Sequence, residues 1–394
     1  MSFSLNEQSI VNLLTLRYNP LQKPLISKIT ADDLNSIMDV DKNILKELLI
    51  YVINREIKGK KRVALTLSSG VDSTLLLSLI RDTNPSIKID CICAIFDENH
   101  ECKCATELAS RFNAEIHIID FRDINILDDM PLHLSIVKEP RWNLYFYYIV
   151  KEASKYSDML ITGDGGDELF GGYTFRYSKF LKYNATSWRD KALAYLSCHE
   201  RDHVPDQHKL FGDRIRFNWD NILALFKPYF DNNLESLQQV FLADFNGKLL
   251  FDWIPTNTKL FQHFSLHGVT PFLDRDVIRM AMSIDPRLKF DQRSGIGKII
   301  LREILSEYNI HLNNSKIGFT LDTRTICKNH KETLFYYLDD ARIVKDGWIN
   351  KEWLDKALKM LETEDIDVRY VNKILALLAF EIWYRLFITK EIKY

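Results

Sequence analysis

Cysteine is scarce in this chain: six in 394 residues, and none before Cys91. That excludes a disulfide scaffold. Charge of one sign is missing too. Lys plus Arg number 52 against 54 Asp plus Glu, a net charge of −2, so nothing points to nucleic acid or to an anionic membrane surface. No long hydrophobic run is present; the most apolar late stretch, residues 374–380, ends at Glu381 and is too short to span a bilayer. The opening Met1-Ser2-Phe3-Ser4-Leu5-Asn6-Glu7 lacks the basic region and apolar run of a secretory signal. A cytoplasmic protein without membrane contact is therefore predicted. Internal repeats are absent, and so is any GxxxxGK[ST] phosphate loop. What remains is ordinary globular composition, 46% hydrophobic and 27% charged, in a length sufficient for two or three packed units.

Against that background two stretches stand out. The first is Leu67-Ser68-Ser69-Gly70-Val71-Asp72-Ser73. An apolar, β-branched run precedes it at 62–66, the profile of a buried parallel strand, and a helical run follows at 74–80. A small, hydroxyl-rich junction opening a helix offers unpaired backbone N–H groups and positive dipole potential, which suits phosphate. Asp72 would repel that phosphate unless a hard cation lies between them. The second stretch, Asp158-Met159-Leu160-Ile161-Thr162-Gly163, reads as a strand running into Asp164-Gly165-Gly166-Asp167-Glu168-Leu169-Phe170-Gly171-Gly172-Tyr173. Five of the 14 glycines fall within residues 163–172, beside three carboxylates. Such acids are costly together without a cation or protons to offset them.

The first stretch resembles the pyrophosphate loop SGGxDS of the ATP-pyrophosphatase superfamily, and the second resembles the G(E/D)GxDELFGGY segment of the asparagine synthetase family. Val269-Thr270-Pro271-Phe272-Leu273-Asp274 resembles that family's RVPFLD. Gly297-Lys298-Ile299-Ile300-Leu301-Arg302-Glu303 is similar to its KxxLRE, and Lys316-Ile317-Gly318-Phe319 to its KxGF. The five occur in the family's order across about residues 60–320. The match is to the synthetase half, shared with lasso-peptide cyclases and β-lactam synthetases. The glutaminase half, which needs an N-terminal nucleophilic cysteine, is expected to be absent, so ammonia, a separate protein or an amine within the substrate would supply nitrogen.

Three departures matter. Ser69 replaces the first glycine of the usual loop, which requires that its φ be negative. Where the family often carries Glu-x-Arg before PFLD, this chain has His267 and Val269, and its Asp-Arg segment reads Thr258-Lys259. Loss of a carboxylate and a guanidinium there puts aspartate as the substrate in doubt.

The expected fold is α/β: a doubly wound parallel sheet of the ATP-pyrophosphatase type, followed by a mainly helical part. Residues 1–45 form an N-terminal extension, 46–180 the nucleotide-binding core, and 181–394 the helical synthetase portion. Helices are expected at 41–57, 101–112 and 142–155, strands at 87–96 and 114–119, and a plain connection at 131–140. Further on, helical spacing runs through 190–195, 234–245, 274–282, 298–305 and 368–387. The charged segment 195–218, with His199, His203 and His208, reads as a solvated loop. Cys91 and Cys93, on one face of a strand, read as buried thiols; with His100, Cys102 and Cys104 they otherwise suggest a metal site.

The resemblance implies ATP-dependent amide formation through an acyl-adenylate, with ATP and Mg²⁺ as cofactors. It assigns Leu67, Ser68, Ser69, Gly70, Val71, Asp72, Ser73, Gly163, Gly165 and Lys298 to ATP and pyrophosphate, and Asp72 and Asp167 to the metal. Asp164 is implied in proton transfer, and Lys316 in stabilising phosphate charge. Partners would be a small-molecule or peptide carboxylate and ammonia or an amine. A lasso-peptide-type macrolactam cyclase and a catalytically silent nucleotide-binding paralogue remain alternatives.

Overall fold

The computed structural model describes residues 5–34, 40–96, 100–312, 322–363 and 365–394, the side chains of residues 100 and 101 excepted. Its centre is a five-stranded sheet of β1 (Arg62–Thr66), β2 (Lys88–Ile95), β3 (Glu115–Asp120), β4 (Met159–Ile161) and β5 (His267–Val269), in the order β3-β2-β1-β4-β5. All the pairings are parallel, with Arg62 opposite Lys88, Asp90 opposite Glu115, Ala64 opposite Leu160 and Met159 opposite His267. Helices cover the sheet, so the central strands are apolar along their whole length rather than alternating: Val63, Ala64, Leu65, Leu160 and Ile161 are fully buried. Burying a side chain of that size stabilises the fold by about 1.5–3 kcal/mol.

From β1 the chain winds outward through β2 and β3. It then returns past β1 to form β4. The direction of winding reverses between β1 and β4, and in open parallel sheets the crevice beyond the strand ends at such a reversal is where ligands bind.

Local signals explain most element boundaries. Asp41 caps the helix Lys42–Ile57, accepting from the Asn43 N–H. Asp274 caps Arg275–Ser283 in the same way, through the Asp276 N–H. The long apolar helix Val368–Phe387 is core: Ile374, Leu377, Leu378, Phe380 and Ile382 are fully buried. Its buried Glu381 accepts from the N–H groups of Arg342 and Ile343 and from Arg385 Nε.

Three expectations need correction. Residues 131–140 are not a plain connection, because Met130–Val137 is a helix; Pro131 is tolerated in its first turn, where an N–H has no intrahelical partner. The portion expected at 181–394 to be helical also supplies a strand of the central sheet, the three residues of β5, too short a run to show a period. Residues 195–218 are not a solvated loop either. Val204, Gln207 and Leu210 are fully buried, and Asp202 pairs with Arg17 and Lys248, far away in sequence. Burial is offset there by opposite charges that no local pattern reveals. Cys91 and Cys93 are buried in β2, and burial pushes the Cys91 thiol up. Among the described residues no helix is long and apolar enough to cross a membrane.

Candidate functional site

The β1–helix junction is held in shape by its own hydroxyls. Ser68 N–H donates to Ser73 Oγ at 3.1 Å, Gly70 N–H donates to Ser68 Oγ at 3.1 Å, and Ser73 Oγ–H reaches the Ser68 carbonyl at 3.0 Å. Gly70 is the cap of the helix Val71–Thr83. Ser69 does not take a positive φ, so serine is accommodated where the usual loop has glycine. Leu67 N–H donates to the Ile92 carbonyl at 2.9 Å, and Val71 packs into the core, so these two anchor the loop to the sheet.

The loop after β4 faces this junction. Gly165 has φ +87°, a left-handed conformation that disfavours any side chain. A Cβ on Gly166 would lie 2.5 Å from Asp72 Cγ, so only glycine lets the two loops approach this closely. Gly163 also lies against Asp72. Into this contact comes Lys298, from the start of the helix Ile299–Ser306, with φ +58°. Its Nζ forms ion pairs with both Asp72 and Asp167. Burial alone would lower the Lys298 ammonium, but the Asp167 and Asp72 carboxylates outweigh it and hold the group above its ordinary value.

Beside these groups opens a cleft of about 200 Å³. Leu67, Ser68, Gly70, Asp72, Ser73, Gly163, Asp164, Gly165 and Asp167 line it, whereas Ser69, Val71 and Lys298 do not. Lys316 lies outside the described residues. The opposite wall is apolar and aromatic, with Ile92, Ala94, Phe146, Ile149 and Trp253. Those residues escaped the sequence reading; the aromatic density of the helix Phe146–Ala153 was the one available signal. The segment just before Trp253 is held by Arg141, which is buried, binds the Phe251 carbonyl and pairs with Asp252 and Glu139. Lys259 also pairs with Glu139.

Asp164 also lines the cleft. Thr162 Oγ1 and Asn257 Nδ2 each donate to its Oδ2 at 3.0 Å, while its Oδ1 takes no hydrogen bond among the described residues. Burial raises the Asp164 carboxyl above the ordinary value. The two donors oppose that rise, and the nearby Asp167 and Asp72 charges add to it. Glu168, buried and accepting from Tyr173 O–H at 2.7 Å, is pushed up to about 8 by burial and then by Asp167. Thus two acids in the cleft, Asp72 and Asp167, are paired with a cation while two others, Asp164 and Glu168, are held toward their neutral forms.

His267 and Val269 line neither this cleft nor the neighbouring cavity around Asn257. His267 is exposed, with Nε2 3.5 Å from Glu56 Oε2, and Val269 is buried in β5. The intervening Gly268 and the following Thr270 take the cavity-facing positions, as alternation along a strand requires. The ground for doubting aspartate at positions 267 and 269 is therefore not a lost contact with either cavity.

The chain matches the asparagine synthase family over residues 45–385. It is similar to asparagine synthetase [glutamine-hydrolyzing] 1 of Bacillus subtilis (strain 168), with 25% identity over 385 residues, covering 88% of this chain and 60% of that protein. The chain thus spans less than two thirds of that relative's length. Among solved structures it is similar to an NH3-dependent NAD synthetase from Campylobacter jejuni subsp. jejuni NCTC 11168 in complex with the nitrate ion. That match has 15% identity and a TM-score of 0.27, and it covers 50% of this chain and 99% of the other. A likeness that low does not bear on the site.

Proposed function

The chain belongs to the asparagine synthase family, and from that premise we propose that it is an ATP-dependent ligase joining a carboxylate to ammonia or an amine. One observation carries this reading: Asp72, Asp167 and Lys298 converge where the winding of the sheet reverses, and Asp164 lines the same cleft as the two aspartates. A carboxylate is a poor electrophile because its departing oxygen is strongly basic. Attack on the α-phosphorus of ATP turns that oxygen into part of AMP and releases pyrophosphate, and nitrogen then displaces AMP.

In this reading residues 67–73 with Gly163 and Gly165 cradle the phosphates, and the aromatic wall takes the adenine. Asp72 and Asp167 would hold Mg²⁺; two carboxylates from facing loops are an oxygen donor set suited to a hard divalent cation. Bound there, the ion would offset charge on the phosphates. Lys298 supplies a fixed positive charge at the same place, and Lys316 is assigned to charge growing on the α-phosphate and acyl oxygen. Asp164 takes the proton from nitrogen through its open Oδ1; a carboxyl raised by burial is a better base near neutral pH than an exposed one. Asparagine formation from aspartate and ammonia is one reaction within this class.

A screen of carboxylates, aspartate included, with ATP, Mg²⁺ and ammonia tests the reading. At least one carboxylate should drive pyrophosphate release. Pyrophosphate release with none of them, in the presence of measured ATP binding, would leave the silent-paralogue reading in its place.

A further inference from the structure

Adjoining the nucleotide cleft, and sharing Asp164 with it, lies a second cavity of about 430 Å³. Ile26, Ile254, Phe261, Leu266 and Leu273 give it apolar walls. Among the described residues Asp164 is the one side chain the two cavities share, and the one charged group in the lining of the second. Asn257 stands beside it, 3% exposed. Its Nδ2 donates to Asp164 Oδ2 at 3.0 Å. The amide oxygen then faces the other way, and Asn257 Oδ1 is buried with no donor among the described residues. Leaving a buried acceptor without a donor is costly, and a ligand N–H placed there removes the cost.

We propose that this second cavity binds the nucleophile, and that the nucleophile is a primary amine carried on an apolar body rather than ammonia; this rests on the ligase reading above. Among the described residues Asp164 Oδ1 and the buried Asn257 Oδ1 are both acceptors without a donor, and the lining holds no cation, which suits N–H donors and disfavours a carboxylate. Apolar walls of this extent offer nothing to ammonia but remove a hydrocarbon body from water. An amine seated there lies beside Asp164, the residue this cavity shares with the nucleotide cleft. The ammonium form gives up one proton to bulk water, and the neutral nitrogen then forms the C–N bond to the acyl carbon. The bond from that carbon to the AMP oxygen breaks with its electron pair going to AMP, and the nitrogen proton passes to Asp164 Oδ1.

Calorimetry on the full chain tests this with benzylamine, benzyl alcohol, benzoate and methylamine as probes, ATP being titrated in parallel. Benzylamine should bind tighter than the alcohol, the acid and methylamine by about tenfold or more, the worth of a charge-assisted hydrogen bond. Asn257→Leu should remove that preference over the alcohol. Thr258→Trp, at a half-buried lining position, should block benzylamine while ATP affinity stays unchanged. Benzoate or benzyl alcohol binding as tightly as benzylamine, or Thr258→Trp leaving benzylamine binding intact, would overturn the assignment. Loss of ATP binding in the unaltered chain would instead count against the ligase reading, so the two failures are distinguishable.

Discussion

On the side of Asp164 that faces β1, charge and glycine converge, and Lys298 reaches Asp72 across 226 positions of sequence. On the side that faces β5, the lining is apolar with uncharged Asn257, Thr258, Gln262 and Thr270 between the hydrocarbon groups. The first side is specified by close backbone approach: Gly166 is fixed by the carboxylate it touches. The second is specified by volume and by one amide. Charged phosphates demand a fixed arrangement of small residues and ions, which leaves a sequence motif. An apolar cavity can be built from many side chains and leaves none.

Breaking the charged side should give the largest effects. Asp72→Asn and Asp167→Asn should each reduce AMP formation to background while circular dichroism stays native, since an amide cannot offset Mg²⁺. Near-normal turnover at low Mg²⁺ in either variant would rule out the two-aspartate site.

Next in size is Lys316→Ala, on a residue outside the described ones. Steady-state kinetics should show kcat down by about 10²–10³ with ATP affinity little changed, as for the loss of a transition-state donor. An unchanged kcat with a raised KM would make Lys316 a binding residue only.

Gly166→Ala should come third. The added methyl displaces Asp72, and a shift near 1 Å in a site of this kind costs about 10²-fold in rate. Unaltered kinetics would show that the loops are not held at their observed separation.

The unequal legibility of the two sides follows from the same physics. The loops at 67–73 and 163–173 were readable because their constraints are local: helix caps, hydroxyls and glycine at a positive φ. Even so, the sequence placed Lys298 on phosphate alone, whereas its Nζ also pairs with Asp72 and Asp167. That contact depends on the left-handed turn at residue 298 and on two distant loops. The three residues of β5 carry no period, and Pro131 disguised a helix start. Asn257 had no signal at all, because its role comes from facing Asp164 across 93 positions. His267 and Val269 drew attention through the motif they break, yet the neighbouring Gly268 and Thr270 line the cavity.

The smallest effect concerns stability. Glu168 keeps its proton in the folded state up to about pH 8, whereas unfolded it ionises near 4.5. Between those values the folded state binds the extra proton, so this group's contribution to stability falls as pH rises through that window and levels off above it. Glu168→Gln should flatten that slope in thermal-unfolding Tm measured from pH 5 to 8.5. An unchanged slope would mean that Glu168 is ionised in the fold.

If the charged side of Asp164 directs cleavage at the α-phosphorus, ³¹P NMR of the products formed with ATP, Mg²⁺ and a carboxylate found active in the screen should show AMP and pyrophosphate in equal amounts. Neither should form with Asp72→Asn, and ADP with inorganic phosphate in their place would exclude cleavage at that atom.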